Sequence, residues 1–93
     1  MMLDSRYEHV KSIWKAGDLN SFSEIFSIIP KTIVCKDLRL NYAPFTKKLK
    51  KLELFTFHDI LHLSLLIGAD FKDIARLLLL EIEEKAKHNS LTK

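Results

Sequence analysis

The sequence predicts one all-α domain, and three observations carry that expectation. Apolar residues recur at three- and four-residue spacing from the first segment to Ile82, with no run of strict strand alternation. Four segments open on a small polar residue with an acid three positions later: Ser5/Glu8, Ser21/Glu24, Thr56/Asp59 and Asp70/Asp73. The 93 residues include only 2 Gly and 2 Pro, too few for a turn-rich β fold. Hydrophobic residues make up 47%, so a core can form without disulfide or metal staples even at this marginal size. The domain is expected to span 1–93, with an added N-terminal helix at 1–17, a core at 21–80, and a helix end and tail at 81–93.

In the first segment, Leu3, Tyr7, Val10 and Trp14 share one face, with Ile13 beside them. Gly17 is the expected stop. The simpler role for this helix is to pack on the domain; the alternative is an arm to a second subunit. The next segment places Phe22, Ile25, Phe26 and Ile29 inward and ends at Pro30. The six phenylalanines read as core residues rather than a base-stacking platform, because those that can be placed fall on inward stripes.

Residues 31–50 are the stretch around which the rest is organised. A short helix over 32–38 presents Val34, Cys35 and Leu38, followed by Leu40 at a tight turn. A second helix over 41–51 has Asn41 as its expected N-cap and Pro44 in its first turn, where no intrahelical N–H is needed. Phe45 and Leu49 make its inward stripe, and Tyr42, Ala43, Thr46, Lys47 and Lys50 are left outward. Residues 52–55 read as a loop. Thr56 then caps a helix whose core side is expected to be Phe57, Ile60, Leu61, Ser64 and Ile67, ending at Gly68. Asp70 caps the last helix, with Phe71, Ile74, Ala75, Leu78 and Ile82 inward, and 89–93 fray. Leu63, Leu66, Leu77, Leu79 and Leu80 exceed what one buried face needs. Either the N-terminal helix covers them or a second subunit does, and Leu77 with Leu80 is the candidate homodimer interface.

The formal net charge is +3 with a pI near 9.1, mildly basic. Its distribution says more: Lys47, Lys48, Lys50 and Lys51 cluster, whereas Glu81, Glu83 and Glu84 gather near the other end. The start MMLDSRYEHV lacks the pattern of a signal peptide, and no apolar run reaches the roughly 20 residues of a membrane helix. A cytoplasmic protein without membrane contact is expected. The lone Cys35 excludes an intramolecular disulfide and a Cys-rich zinc site. Lys36 beside it could lower its pKa, but a buried small apolar residue is the better reading.

Catalytic chemistry finds little support. His58 and His62, four apart, could face one metal, but the glutamate of the metalloprotease pattern is missing. No glycine-rich phosphate loop exists, and no context marks a nucleophile. A solvated histidine face, no metal, no cofactor and no enzyme activity are the expectations; a small metal-dependent hydrolase is the least favoured.

Residues 31–50 resemble the helix-turn-helix of the Cro/lambda-repressor-like DNA-binding proteins. Cys35 stands at the small position of the first helix, Leu40 at the aliphatic position after the turn, and Phe45 at the inward position of the recognition helix. The stretch FTFHDILHLSLLIGADFKDIARLL resembles the family's last two helices, so the likeness covers about 21–80. Two departures stand out. Arg39 replaces the turn glycine, which asks for a left-handed or an altered turn conformation, and Lys48 replaces the second inward aliphatic residue. The resemblance implies a five-helix lambda-repressor-like domain and a sequence-specific DNA-binding protein, a small bacterial or phage transcriptional regulator acting as a dimer on double-stranded DNA. Asn41, Tyr42, Ala43, Thr46 and Lys47 would then face bases, and Lys47, Lys48, Lys50 and Lys51 phosphates. The alternative function is a helical protein–protein adaptor on the same scaffold.

Overall fold

A computed structural model describes residues 4–91, with side chains over 4–88. Leu3 and residues 92–93, for which the sequence raises expectations, lie outside the described residues. The described chain is all-helical: α1 (Arg6–Lys15), α2 (Phe22–Ile28), α3 (Lys31–Asp37), α4 (Tyr42–Lys50), a 3₁₀ turn at Leu52–Leu54, α5 (Phe57–Ile67) and α6 (Phe71–Leu91). The 3₁₀ turn replaces the expected loop, because Leu52 is drawn into the core at 2% exposure. The last helix is one continuous rod through Leu91, past the point where fraying was expected.

One core joins all six α-helices of the described chain. Tyr7 and Val10 of α1, Phe22 and Ile25 of α2, Val34 and Cys35 of α3, Phe45 of α4, Ile60, Leu63 and Ile67 of α5, and Ile74 and Leu78 of α6 are buried together. Phe22, Phe26, Phe45 and Phe55 meet edge to face with centroids 5.3–6.2 Å apart, a geometry aromatic quadrupoles favour. The packing role of α1 is the one observed. Its Tyr7 hydroxyl donates to Asp37 Oδ2 at 2.7 Å, and Trp14 Nε1 donates to Asp73 Oδ2 at 3.0 Å. Burial and the Asp37 carboxylate together push the Tyr7 phenol well above its ordinary pKa.

The helix starts follow the sequence signals unevenly. Thr56 and Asp59 form a complete reciprocal capping box on α5. At α2, Ser21 Oγ accepts from Glu24 N, but Glu24 Oε1 accepts from Asn20 N rather than returning to Ser21. Glu81 of α6 supplies the rest from a distance, accepting from Ser23 N at 3.1 Å and from the Ser23 hydroxyl. Ser5 does not cap α1, because it already has helical φ and ψ. Asp4 takes its place and accepts from Arg6 N at 2.9 Å. The Arg6 guanidinium bound to Asp4 holds that carboxyl down at about 2.

The orientation of α5 corrects the expected core side. Its buried residues are Asp59, Ile60, Leu63, Ser64 and Ile67. Phe57 and Leu61 point to solvent, at 83% and 44% exposure. The helix is turned toward Asp59 and Leu63, with Asp59 held by the capping box and by Lys48 of α4 and with α6 and α1 packed on the helix. The surplus leucines therefore divide: Leu63 is core, Leu66 and Leu77 pack partly against it, and Leu79 and Leu80 remain more than half exposed.

Candidate nucleic-acid interface

The two helices of residues 31–50 are joined by a left-handed residue. Arg39 has φ of 57° and is the one non-glycine residue with positive φ among the described residues. Around it, Leu40 N donates to Cys35 O at 3.1 Å and Arg39 N to Lys36 O at 3.0 Å. These are the paired bonds of a Schellman cap, which closes a helix end through a residue in left-handed conformation. The same pair closes α1, where Asp18 N reaches Ile13 O and Gly17 N reaches Trp14 O. There glycine holds the position, at φ 79°. Of the two turn conformations open to Arg39 the left-handed one is present, and Arg39 bears the steric cost that Gly17 avoids.

Cys35 locks this turn from within. It is 4% exposed, its Sγ donates to Leu40 O at 3.0 Å, and burial pushes the thiol pKa up. That is opposite to the shift a reactive cysteine needs. Asp37, held by Tyr7, sits at the end of α3 immediately before the turn. The turn is therefore pinned by α1 as well, an interaction for which the sequence offers no signal.

Helix α4 rests on Phe45, which is fully buried, and on the partly buried Leu49. Asn41, Tyr42, Ala43, Lys47 and Lys50 lie exposed, as does Lys51 beyond the helix. Thr46 is half-buried, and its hydroxyl donates to Ala43 O at 2.8 Å. Asn41 occupies the N-cap position with extended backbone, but its side chain makes no capping bond. Its amide is consequently free of the role expected for it.

Lys48 departs from the expected phosphate set. Its side chain is only 20% exposed, and its Nζ lies 2.6 Å from Oδ2 of Asp59, which is 8% exposed. The same carboxylate oxygen accepts from Thr56 N at 3.0 Å. Burial raises the Asp59 pKa, but the bonds from Lys48 and Thr56 outweigh it, and the carboxyl stays below its ordinary value. Lys48 is thereby a structural residue that ties the end of α4 to the start of α5. Among the described residues, Lys47, Lys50 and Lys51 have no carboxylate within ion-pair distance.

His58 and His62 stand on the exposed side of α5, their rings 4.2 Å apart. With Asp37, Arg39 and Asp59 they border a cleft of about 420 Å³ beside the turn. No group of three potential ligands able to hold a metal is found among the described residues. Nor, among those residues, is any helix long and apolar enough to cross a membrane. Leu77 and Leu80 do not form one exposed surface: Leu77 packs against the chain's own core, and Leu80 is 53% exposed.

No protein-family model, curated protein or solved structure matches the chain.

Proposed function

We propose that this protein binds double-stranded DNA in a sequence-dependent way through α3, its turn and α4, as a small transcriptional regulator. The single observation that supports it most is the exposed face of α4. Asn41, Tyr42 and Ala43 stand exposed at its amino end, and Lys47, Lys50 and Lys51, which have no carboxylate partner among the described residues, follow. An α-helix of this kind fits the major groove, its first turn toward base edges and its basic end toward phosphates. Asn41 would hydrogen-bond an adenine edge or a phosphate, Tyr42 and Ala43 would contact thymine methyls, and Thr46 would stand at the edge of the reading surface. Lys47 would lie between the two kinds of contact. The lambda-repressor-like arrangement belongs to this proposal, as do a cytoplasmic location and a two-fold assembly in which Leu80 is the exposed contact. Binding of this kind needs no catalytic residue and no cofactor.

The test is retention of a random-sequence DNA pool by the folded protein at low and at physiological salt. Enrichment of particular sequences is the expected result. No retention at low salt overturns the proposal, and retention without enrichment removes its sequence dependence.

The adaptor reading rests on a different face. Phe57 and Leu79 stand at 83% and 56% exposure beside an apolar groove whose lining does not include Lys47.

A further inference from the structure

We propose that the groove between the 3₁₀ turn, the start of α5 and the middle of α6 receives an acidic amphipathic helix of another protein. The groove holds about 610 Å³. Leu52, Ile60 and Leu78 form its floor, all nearly inaccessible to water. Its lip is Phe57 and Leu79, the former set edge to face on Phe71 with centroids 6.4 Å apart. Two large apolar side chains held at the mouth of an apolar trough are costly in water and mark a surface suited to covering.

The charges around it define the occupant. Lys72 and Arg76 flank the groove on α6. At its other end a second depression, of about 310 Å³, is lined by Lys50, Lys51 and Lys85. Glu53 is the one acid among the described residues lining the two. A partner therefore needs apolar side chains for the trough and carboxylates at its edges. Lys72 and Lys85 are 13 positions apart on one helix, about 20 Å at 1.5 Å per residue. That length suits a bound helix of about four turns with anchors at i, i+4 and i+7. A second copy is a poor occupant, because a two-fold contact would bring together two grooves whose charged border residues are mainly lysine and arginine.

Lys50 and Lys51 border both this groove and the proposed DNA face, so the test relies on Leu79, Lys72 and Arg76, which line the groove and lie outside that face. The inference is tested by selecting from a displayed library of random peptides of about 18 residues on the immobilised full chain. Selected sequences should carry apolar residues at helical spacing interleaved with Asp or Glu. A synthetic peptide of the leading sequence should bind Leu79→Glu and the double variant Lys72→Glu/Arg76→Glu at least tenfold more weakly, with the thermal unfolding midpoint kept. The same peptide with its acids changed to Lys should recover binding to the double variant only. Failure to select a peptide, selection without acidic enrichment, or binding indifferent to both variants would overturn the proposal. So would a wild-type dimer in sedimentation that Leu79→Glu dissolves, since a second copy would then fill the groove.

Discussion

Lys48 and Asp59 show how one ion pair redirects a reading of function. A lysine in a cluster of four looks like a phosphate ligand, yet this one is folded over a nearly buried carboxylate. Removing one partner of such a pair leaves the other uncompensated, so the two substitutions should differ. Asp59→Asn leaves Lys48 close enough to water to solvate its charge, and a loss of about 1–3 kcal/mol is expected. Lys48→Met removes the hydrogen bond and the positive charge that lower the Asp59 pKa against its burial, and the carboxyl should then titrate higher than in the wild type. Carboxyl chemical shifts followed through a pH titration measure that directly. In the wild type the folded-state pKa is depressed, so the pair's contribution is complete above the unfolded value. It is lost as pH falls through the folded value. Chemical denaturation of the wild type and Asp59→Asn should show a gap at pH 7 that closes below about pH 4; an unchanged gap would contradict the pairing.

Arg39 makes a prediction of opposite sign. A residue with a Cβ is strained at φ of 57°, and glycine is not. Arg39→Gly should stabilise the fold by about 0.5–1 kcal/mol, the steric relief of about 1–2 kcal/mol being partly offset by the greater freedom of glycine in the unfolded chain. If the substitution instead destabilises, Arg39 makes a contact beyond the turn itself.

At the scale of elements, α4 and α1 carry the testable content. Replacing Lys47 and Lys50 with Ala should weaken binding to all DNA sequences alike. Each phosphate interaction so removed should also flatten the salt dependence by about one unit of slope. Asn41 has no capping bond, so Asn41→Ala should cost little of the stability, about 1 kcal/mol, that a working cap would. It should nevertheless change which sequences are preferred. A drop in stability without a change in preference would return Asn41 to a purely structural role. Helix α1 supports the reading unit from behind, through the bond from Tyr7 to Asp37. Tyr7→Phe removes a hydrogen bond to a charged group, and a loss of about 1.5 kcal/mol is expected in urea denaturation.

Across the whole molecule, helices α1 to α6 share one core, so unfolding should be a single cooperative step followed alike by circular dichroism and by Trp14 fluorescence. Separate transitions would mean that α1, whose Trp14 hydrogen-bonds α6, folds apart from the rest. The proposed DNA face and the apolar groove meet at Lys50 and Lys51 but are predicted to be separable by substitution elsewhere: Lys47 for one, Leu79 for the other.

The amino-acid sequence by itself determined the helical class, the order of the α-helices, the special turn at Arg39 and the burial of Cys35 and Phe45. Each of these follows from near neighbours along the chain, through apolar spacing, breaker residues and backbone sterics. The complete box at Thr56 was legible for the same reason. Only the tertiary structure decided which lysines are free, which way α5 is turned, and what closes the start of α2. Lys48 is neutralised by a residue 11 positions away, Phe57 and Leu61 are left outward while α6 and α1 pack on α5, and Glu81 reaches Ser23 across 58 positions. Such choices depend on which surfaces meet when helices pack, and a periodicity shows how wide an apolar face is without showing which neighbour will cover it.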